Sequence, residues 1–224
     1  MSYRHGFSAD LQRIRRHIDQ MIKLHGFVPE ALGWTRNKQH HRFQVLCDIG
    51  VRNSCSIIDF GCGLADLYAY CRSRFDKIKY LGVEINPALV DECRRKYPEI
   101  DVRCMDILTD DLNEQVDFVL ISGTFNYPFR FSDNYGFIEA SLTELFKIAR
   151  IGIAADFFST SVDYRTEELF YSDPKLIFDI AQRLSKRVTL RHDYFPFEFC
   201  IYLYTDDSIT NRYVFRRFEE EAPI

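Results

Sequence analysis

An acidic, glycine-rich turn at residues 59–66, of the pattern D-x-G-x-G-x-A-D, contains the residue types best suited to hold a ligand. It follows a short apolar run at residues 56–58 and precedes a segment of helical character at about residues 64–75. A buried strand, a tight turn with two closely spaced glycines and a following helix let the backbone approach a nucleotide-like ligand. The turn therefore predicts a site for an adenosine-containing cofactor.

The same turn bears on which cofactor is bound. The dinucleotide fingerprint G-x-G-x-x-G would need its third glycine at position 66, where this sequence has Asp66. A carboxylate at a helix N-terminus is a poor neighbour for an anionic pyrophosphate. A ligand without phosphates fits better, and an NAD(P)-dependent oxidoreductase on a similar sheet is the weaker alternative.

Two further carboxylates follow predicted strands. Residues 79–84 are predicted to form a second strand that ends in Glu84, where an acid can reach the ribose hydroxyls of a bound nucleoside. Residues 101–107 are predicted to form a third strand with Asp106 at its end, able to accept from an adenine amine. A fourth strand at residues 116–121 leads into Ser122 and Gly123.

Taken in order, these motifs resemble those of the class I S-adenosylmethionine-dependent methyltransferases. The resemblance covers roughly residues 36–206 and includes the acidic turn, the acids after strands two and three, and the loop after strand four. It departs from the usual pattern at Ala65, where a third glycine is common. Alanine is acceptable there because it suits the start of a helix.

The resemblance implies an α/β fold, Rossmann-like, with a seven-stranded, mostly parallel sheet in the order 3-2-1-4-5-7-6 and helices on both faces. It also implies S-adenosylmethionine as cofactor and S-adenosylhomocysteine as product. The residues expected to contact the cofactor are Asp59, Gly61, Cys62, Gly63, Asp66, Glu84, Ile85, Asp106, Ile107, Ser122 and Gly123.

Other stretches, at residues 39–43, 122–126, 192–194 and 198–199, resemble small bacterial methyltransferases of poorly defined substrate. The aromatic segment at residues 125–131 suggests a wall for a flat or partly apolar acceptor. It lacks the order of an N-P-P-Y motif, so DNA methylation is not predicted. The residues expected to contact the substrate are Gln39, Arg42, Phe125, Asn126 and Tyr127.

A methyl-accepting hydroxyl benefits from a general base whose pKa is near the working pH. His192, next to Asp193 at the end of the sixth predicted strand, is the candidate, and His40 and His41 on the second helix are weaker ones. The sequence favours O-methylation slightly over N-methylation. A methyltransferase-like binding protein without turnover is a further alternative, disfavoured because all three motif acids are intact.

The elements that must position these residues alternate along the chain. Apolar residues recur at helical spacing from Leu11 to Leu24, a second helix is predicted at about residues 38–50, and residues 187–194 and 197–204 are predicted to form a hairpin. We expect a single domain over residues 1–224. It comprises an N-terminal helical extension at 1–50, a cofactor-binding core at 51–206 and a tail at 207–224.

Composition agrees with a compact enzyme acting on a small molecule. The chain has 224 residues, 46% of them hydrophobic, and a formal net charge of −4, which disfavours binding to nucleic acid. Seven cysteines without a C-x-x-C pair indicate reduced thiols and imply no metal site. Since no segment resembles a signal peptide or a membrane span, we expect a cytoplasmic protein.

Overall fold

The computed structural model describes residues 6–34 and 39–206, so the tail expected at 207–224 lies outside the described residues. Its centre is a seven-stranded sheet in the order β3-β2-β1-β4-β5-β7-β6, which confirms the expected topology. Strands β1 to β5 are parallel, and β7 is antiparallel to both of its neighbours. The strands are β1 (Ser56–Phe60), β2 (Lys79–Glu84), β3 (Asp101–Cys104), β4 (Val116–Ile121), β5 (Ala149–Phe158), β6 (Arg187–Phe195) and β7 (Glu198–Tyr204).

Six α-helices accompany the sheet within the described ranges. They are α1 (Ser8–His25), α2 (Gln39–Cys47), α3 (Asp66–Arg74), α4 (Pro87–Lys96), α5 (Asn134–Ile148) and α6 (Pro174–Leu184). The helices α2, α3 and α4 pack on one face of the sheet, and α5 and α6 pack on the other. None of these helices is long and apolar enough to cross a bilayer.

The central strands are apolar on both sides because helices cover both faces. In β1, Ile57 packs with α2 and α3, while the next residue, Ile58, packs with α5. In β4, Phe118 likewise lies in the apolar layer of α2 and α3, and the next residue, Val119, lies in the layer of α5. The core is therefore two apolar layers, and the carboxyl ends of the parallel strands share one edge where a site can form.

Some boundaries differ from the predictions for local reasons. The helix after the glycine turn begins at Asp66, not Leu64, because Ala65 has a left-handed backbone conformation with φ of 58°. The third strand ends at Cys104, and Asp106 instead opens a turn in which its carbonyl accepts from the backbone N–H of Thr109 and Asp110. The predicted hairpin is confirmed, with Phe195 paired to Glu198 across the turn.

Helix α1 is held by hydrogen bonds near its N-terminus and near its middle. The buried Asp10 carboxylate accepts from the backbone N–H of Arg130 at 2.6 Å and of Phe131 at 3.1 Å. Further along the helix, the Asn86 amide donates to the Asp19 carboxylate at 2.8 Å. These contacts hold α1 across the edge of the sheet where the parallel strands end.

Candidate functional site

A cavity lies at the carboxyl ends of the parallel strands, beneath α1. It contains about 1080 Å³ of space not filled by protein atoms, part of it open to solvent. Every residue expected to contact the cofactor lines this cavity: Asp59, Gly61, Cys62, Gly63, Asp66, Glu84, Ile85, Asp106, Ile107, Ser122 and Gly123. The topology therefore brings residues from four separate strand ends to one place.

The glycine turn is shaped by its neighbours. Gly61 and Gly63 have φ of 75° and 55°, which side chains rarely adopt. A Cβ atom on Gly61 would lie 2.1 Å from Oγ1 of Thr124, and one on Gly63 would lie 2.8 Å from Cδ1 of Leu32. Both conformation and space require glycine at Gly61, and conformation favours it at Gly63, so the backbone itself forms this wall of the cavity.

Glu84 is a buried carboxylate that can accept a further hydrogen bond. Its Oε1 accepts from the backbone N–H of Ile85 at 2.8 Å and of Asn86 at 2.9 Å, and its Oε2 accepts from that of Gly63 at 3.0 Å. Burial raises the pKa of Glu84, and these three hydrogen bonds oppose the rise. A carboxylate has about four acceptor positions, so Oε2 can still accept from a ligand hydroxyl.

Asp59, in β1, is 3% exposed and accepts from the Tyr80 hydroxyl at 2.7 Å. Burial raises its pKa to about 7, the bond from Tyr80 lowers it, and the nearby carboxylates of Glu84 and Asp66 raise it further. A cationic group beside Asp59 would stabilise the ionised form. This end of the cavity thus suits a ligand that carries an ammonium.

The third acid lies where a flat heterocycle could be held. The Asp106 Oδ1 atom accepts from the backbone N–H of Leu108 at 3.0 Å, and burial raises its pKa. Ile85, Met105 and Ile107 line the cavity beside it. A carboxylate at the rim of an apolar slot can accept from an exocyclic amine while the slot contacts the ring faces.

The expected substrate contacts are only partly brought together. Gln39 and Tyr127 line the cavity, but Arg42, Phe125 and Asn126 do not. Phe125 is a core residue, stacked on Phe157 with ring centroids 5.6 Å apart. The Asn126 side chain accepts from the backbone N–H of Phe158 at 3.1 Å, so it supports a loop. Both residues thus make structural contacts and neither lines the cavity, contrary to their prediction as substrate contacts.

Arg42 is predicted to contact the substrate, but in the structure its side-chain partner is Glu198 of the same chain. Arg42 is 5% exposed, and its Nε and Nη2 atoms both donate to the Glu198 carboxylate, the first at 2.6 Å. Its guanidinium lies 4.7 Å from the centre of the Trp34 ring. The bidentate geometry that would suit a ligand carboxylate is already used by Glu198.

His192 lies outside the cavity. It is exposed on β6, the edge strand, and its ring packs near Phe199 with centroids 6.1 Å apart. Strands β7 and β5 separate β6 from β4, so this imidazole is not placed to act as base for a group in the cavity. His40 and His41 are exposed too, against Tyr70 and Phe195 respectively.

Asp156 was missed by the sequence reasoning. It is 2% exposed at the carboxyl end of β5, where its Oδ2 accepts from the Ser122 hydroxyl at 2.8 Å and its Oδ1 from the Gly123 backbone N–H at 2.7 Å. Burial raises its pKa to about 6, and the Arg42 guanidinium opposes the rise. One signal was available, because Asp156 is the only charged residue between Gly152 and Phe158.

Trp34 was missed as well. A Cβ atom on Gly123 would lie 2.2 Å from Cζ2 of Trp34, so the indole packs directly against the loop after β4. For α1, the sequence predicts an N-terminal helix whose apolar face can lie over the pocket. In the structure, Leu11, Ile14 and Ile18 of α1 line the cavity.

Comparisons with known proteins show the family of this chain. A family model described as a methyltransferase domain matches residues 57–145, from the start of β1 into α5. Rv1506c of Mycobacterium tuberculosis, whose name gives it as a methyltransferase, is 31% identical over 151 residues, which are 65% of this chain and 90% of that protein.

Solved structures share the fold at low sequence identity. A S-adenosylmethionine-dependent methyltransferase from Aquifex aeolicus aligns with a TM-score of 0.58 and 16% identity, over 84% of this chain and 97% of that one. The magnesium protoporphyrin IX methyltransferase of Synechocystis PCC 6803, solved with its bound product S-adenosylhomocysteine, aligns with a TM-score of 0.55 and 13% identity, over 79% and 84%.

Proposed function

This chain belongs to the class I S-adenosylmethionine-dependent methyltransferases, and we propose that it methylates a small molecule, with an oxygen acceptor favoured over nitrogen. The observation that carries the proposal is the convergence of Asp106, Glu84, Asp59 and Ser122 on one cavity. These residues lie at the ends of, or just after, β3, β2, β1 and β4, which are neighbours in the sheet.

Each residue has a proposed role toward S-adenosylmethionine. Glu84 accepts from the ribose hydroxyls, and Asp106 accepts from the adenine amine between Ile85 and Ile107. Asp59 holds the ammonium group, while Gly61, Cys62 and Gly63 admit the methionine portion and Asp66 closes the turn. The spare acceptor position on Glu84 and the position of Asp59 beside the carboxylates of Glu84 and Asp66 support these assignments.

The chain's own residues would act mainly by position. Methyl transfer from a sulfonium is an in-line displacement, so holding the acceptor at the methyl carbon and excluding water supplies much of the rate. The apolar face of α1 supports this role because Leu11, Ile14 and Ile18 cover the cavity. Gln39 and Tyr127 remain proposed substrate contacts.

The preference for a small molecule and for oxygen has its own support. A net charge of −4 disfavours a nucleic-acid substrate, and the named magnesium protoporphyrin IX methyltransferase has a small-molecule substrate. An oxygen acceptor loses a proton on methylation, and the carboxylate of Asp156, with a pKa of about 6, can receive it through Ser122. We also propose a single domain that acts in the cytoplasm, where its cysteines would stay reduced.

Calorimetric titration tests the proposal. We expect saturable binding of S-adenosylhomocysteine and no binding of NAD. Replacing Glu84 with Gln removes a charged acceptor and should weaken binding by about ten- to a hundredfold, since hydrogen bonds to charged groups contribute about 1.5–3 kcal/mol. Glu144→Gln is the control, because Glu144 pairs with Lys147 on α5 outside the cavity. Binding of NAD with no response to the sulfur nucleoside would refute the proposal.

A further inference from the structure

We propose that Ser122 and Asp156 form an acceptor subsite that recognises a hydrogen-bond donor, and that the methyl-accepting group is a hydroxyl on a flat apolar body, as in a phenol. In this subsite Ser122 contacts the acceptor, and Asp156 acts through Ser122 as a positioning residue. The inference rests on the proposed function, because it takes the rest of the cavity to hold the methyl donor.

The first step concerns location along the sheet. Strand β1 lies between β2 and β4, and β5 lies on the far side of β4. Glu84 and Asp59, which account for the cofactor, therefore lie on β2 and β1, while Ser122 and Asp156 lie beyond them on the β4 and β5 side. Ser122 lines the same cavity as Asp59. The acceptor approaches from this side.

The second step concerns the direction of the hydrogen bonds. An ionised carboxylate only accepts, so the Ser122 hydroxyl hydrogen points to Oδ2 of Asp156, at 2.8 Å between oxygens. The Gly123 backbone N–H, at 2.7 Å from Oδ1, fixes the other carboxylate oxygen. Because its one hydrogen is committed, Ser122 offers only lone pairs to the cavity. A ligand group placed there must bring its own hydrogen.

The third step concerns the shape of the acceptor. The Trp34 indole packs against Gly123, next to Ser122, and lines the cavity. The Arg42 guanidinium lies 4.7 Å from the centre of the indole ring. Glu198 holds this guanidinium in place, so Arg42 in turn restrains the ring. A planar ring suits a flat partner, since aromatic groups gain from stacked or edge contacts. Together these features favour an aromatic hydroxyl.

A matched pair of probes tests the subsite in the full chain saturated with S-adenosylhomocysteine. Phenol carries a donor hydrogen, whereas anisole has the same ring and oxygen without it. The chain has a single tryptophan, Trp34, so its fluorescence reports binding of either probe. We expect phenol to bind about three- to tenfold more tightly than anisole, as one hydrogen bond implies.

Two variants separate the proposed role from a structural one. In Asp156→Asn, the Gly123 N–H still needs the amide oxygen, so the amide NH₂ faces Ser122 and its hydroxyl hydrogen is released toward the cavity. The phenol preference should disappear, and anisole should bind more tightly than to the unchanged protein. In Ser122→Ala the preference should disappear with no gain for anisole. Ser141→Ala, a buried serine of α5 outside the cavity, should keep the preference.

Equal affinity for phenol and anisole in the unchanged protein, or no binding of phenol at all, would overturn the inference. So would a preference that survives Ser122→Ala, and this variant decides the matter if Asp156→Asn does not fold. Failure of S-adenosylhomocysteine to bind before any probe is added would instead refute the proposed function. Failure of the inference and failure of the proposed function are therefore distinguished by separate titrations.

Discussion

At the scale of single residues, Asp59 combines a proposed binding role with a cost to stability. Its carboxylate is buried beside Glu84 and Asp66 and hydrogen-bonded by Tyr80, and its pKa is raised to about 7. The folded chain therefore binds a proton there that the unfolded chain releases near pH 3.9. Stability contributed by this proton is present below about pH 4 and is lost as the pH rises through about 7.

Ligand affinity should follow the same titration. A ligand ammonium beside Asp59 favours the ionised form, so binding below pH 7 releases a proton and weakens by up to tenfold for each unit of falling pH. Above about pH 7 Asp59 is ionised and this gain should level off. Calorimetry of S-adenosylhomocysteine from pH 5 to pH 8 should show the rise and the plateau.

Asp59→Asn supplies the comparison. The variant should lose the rise in affinity between pH 5 and 7, and its free energy of unfolding at pH 8 should exceed that of the unchanged chain because position 59 no longer carries a buried charge. Asp111→Asn, an exposed carboxylate, should change neither property. An unaltered pH profile in Asp59→Asn would show that another group controls binding.

At the scale of elements, α1 belongs to both the core and the site. Phe7 and Leu11 are buried among core residues, while Leu11, Ile14 and Ile18 line the cavity. Removing residues 1–35 would therefore expose core surface as well as open the cavity. A point substitution in one of the contacts that hold α1 is a better test than this deletion, because it leaves the apolar residues of the core and of the cavity in place.

Asp10→Ala is the substitution of choice. It removes the acceptor for Arg130 N–H, Phe131 N–H and the Ser132 hydroxyl, and unsatisfied donors at such a place cost about 1–3 kcal/mol. We expect a lower free energy of unfolding in urea and weaker binding of S-adenosylhomocysteine. Gln12→Ala, an exposed change in the same helix, should leave both unaltered. Loss of stability with full affinity would mean that α1 does not cover the ligand.

At the scale of the whole molecule, a buried ion pair joins helix α2 to strand β7, which are far apart in the sequence. Arg42 lies on α2, before the first strand, and Glu198 begins the last strand in sequence, β7. Both side chains are almost fully buried. Burying two charges gives little net stabilisation, but removing one partner leaves the other unpaired.

Arg42→Met should accordingly lower the free energy of unfolding by about 3–5 kcal/mol. The double variant Arg42→Met with Glu198→Leu should recover much of that loss because neither charge of the pair remains, and denaturant unfolding of the three proteins measures the difference. Arg72→Met breaks the exposed pair with Glu99 and should cost less than about 1 kcal/mol. Additive losses in the double variant would contradict this account.

The cofactor side of the site was predictable because its signals are local. A strand, a glycine turn and a helix follow one another within residues 56–74, and Glu84 and Asp106 each follow their own strand at short distance. Parallel strands align their carboxyl ends, so residues with this local pattern meet at one edge. The order of the strands came from the family resemblance, and the structure confirms it.

The acceptor side depended on contacts between distant parts of the chain. Only folding brings Glu198 to Arg42, 156 residues away, and Asp156 to Ser122, 34 residues away. Folding also places His192 on the outer edge of the sheet. The local sequence pattern shows that a polar side chain lies at a strand end or on a helix. The partner of that side chain depends on which strands and helices become neighbours in the fold. Because a buried charge must be paired, that partner decides whether the side chain is free to meet a ligand.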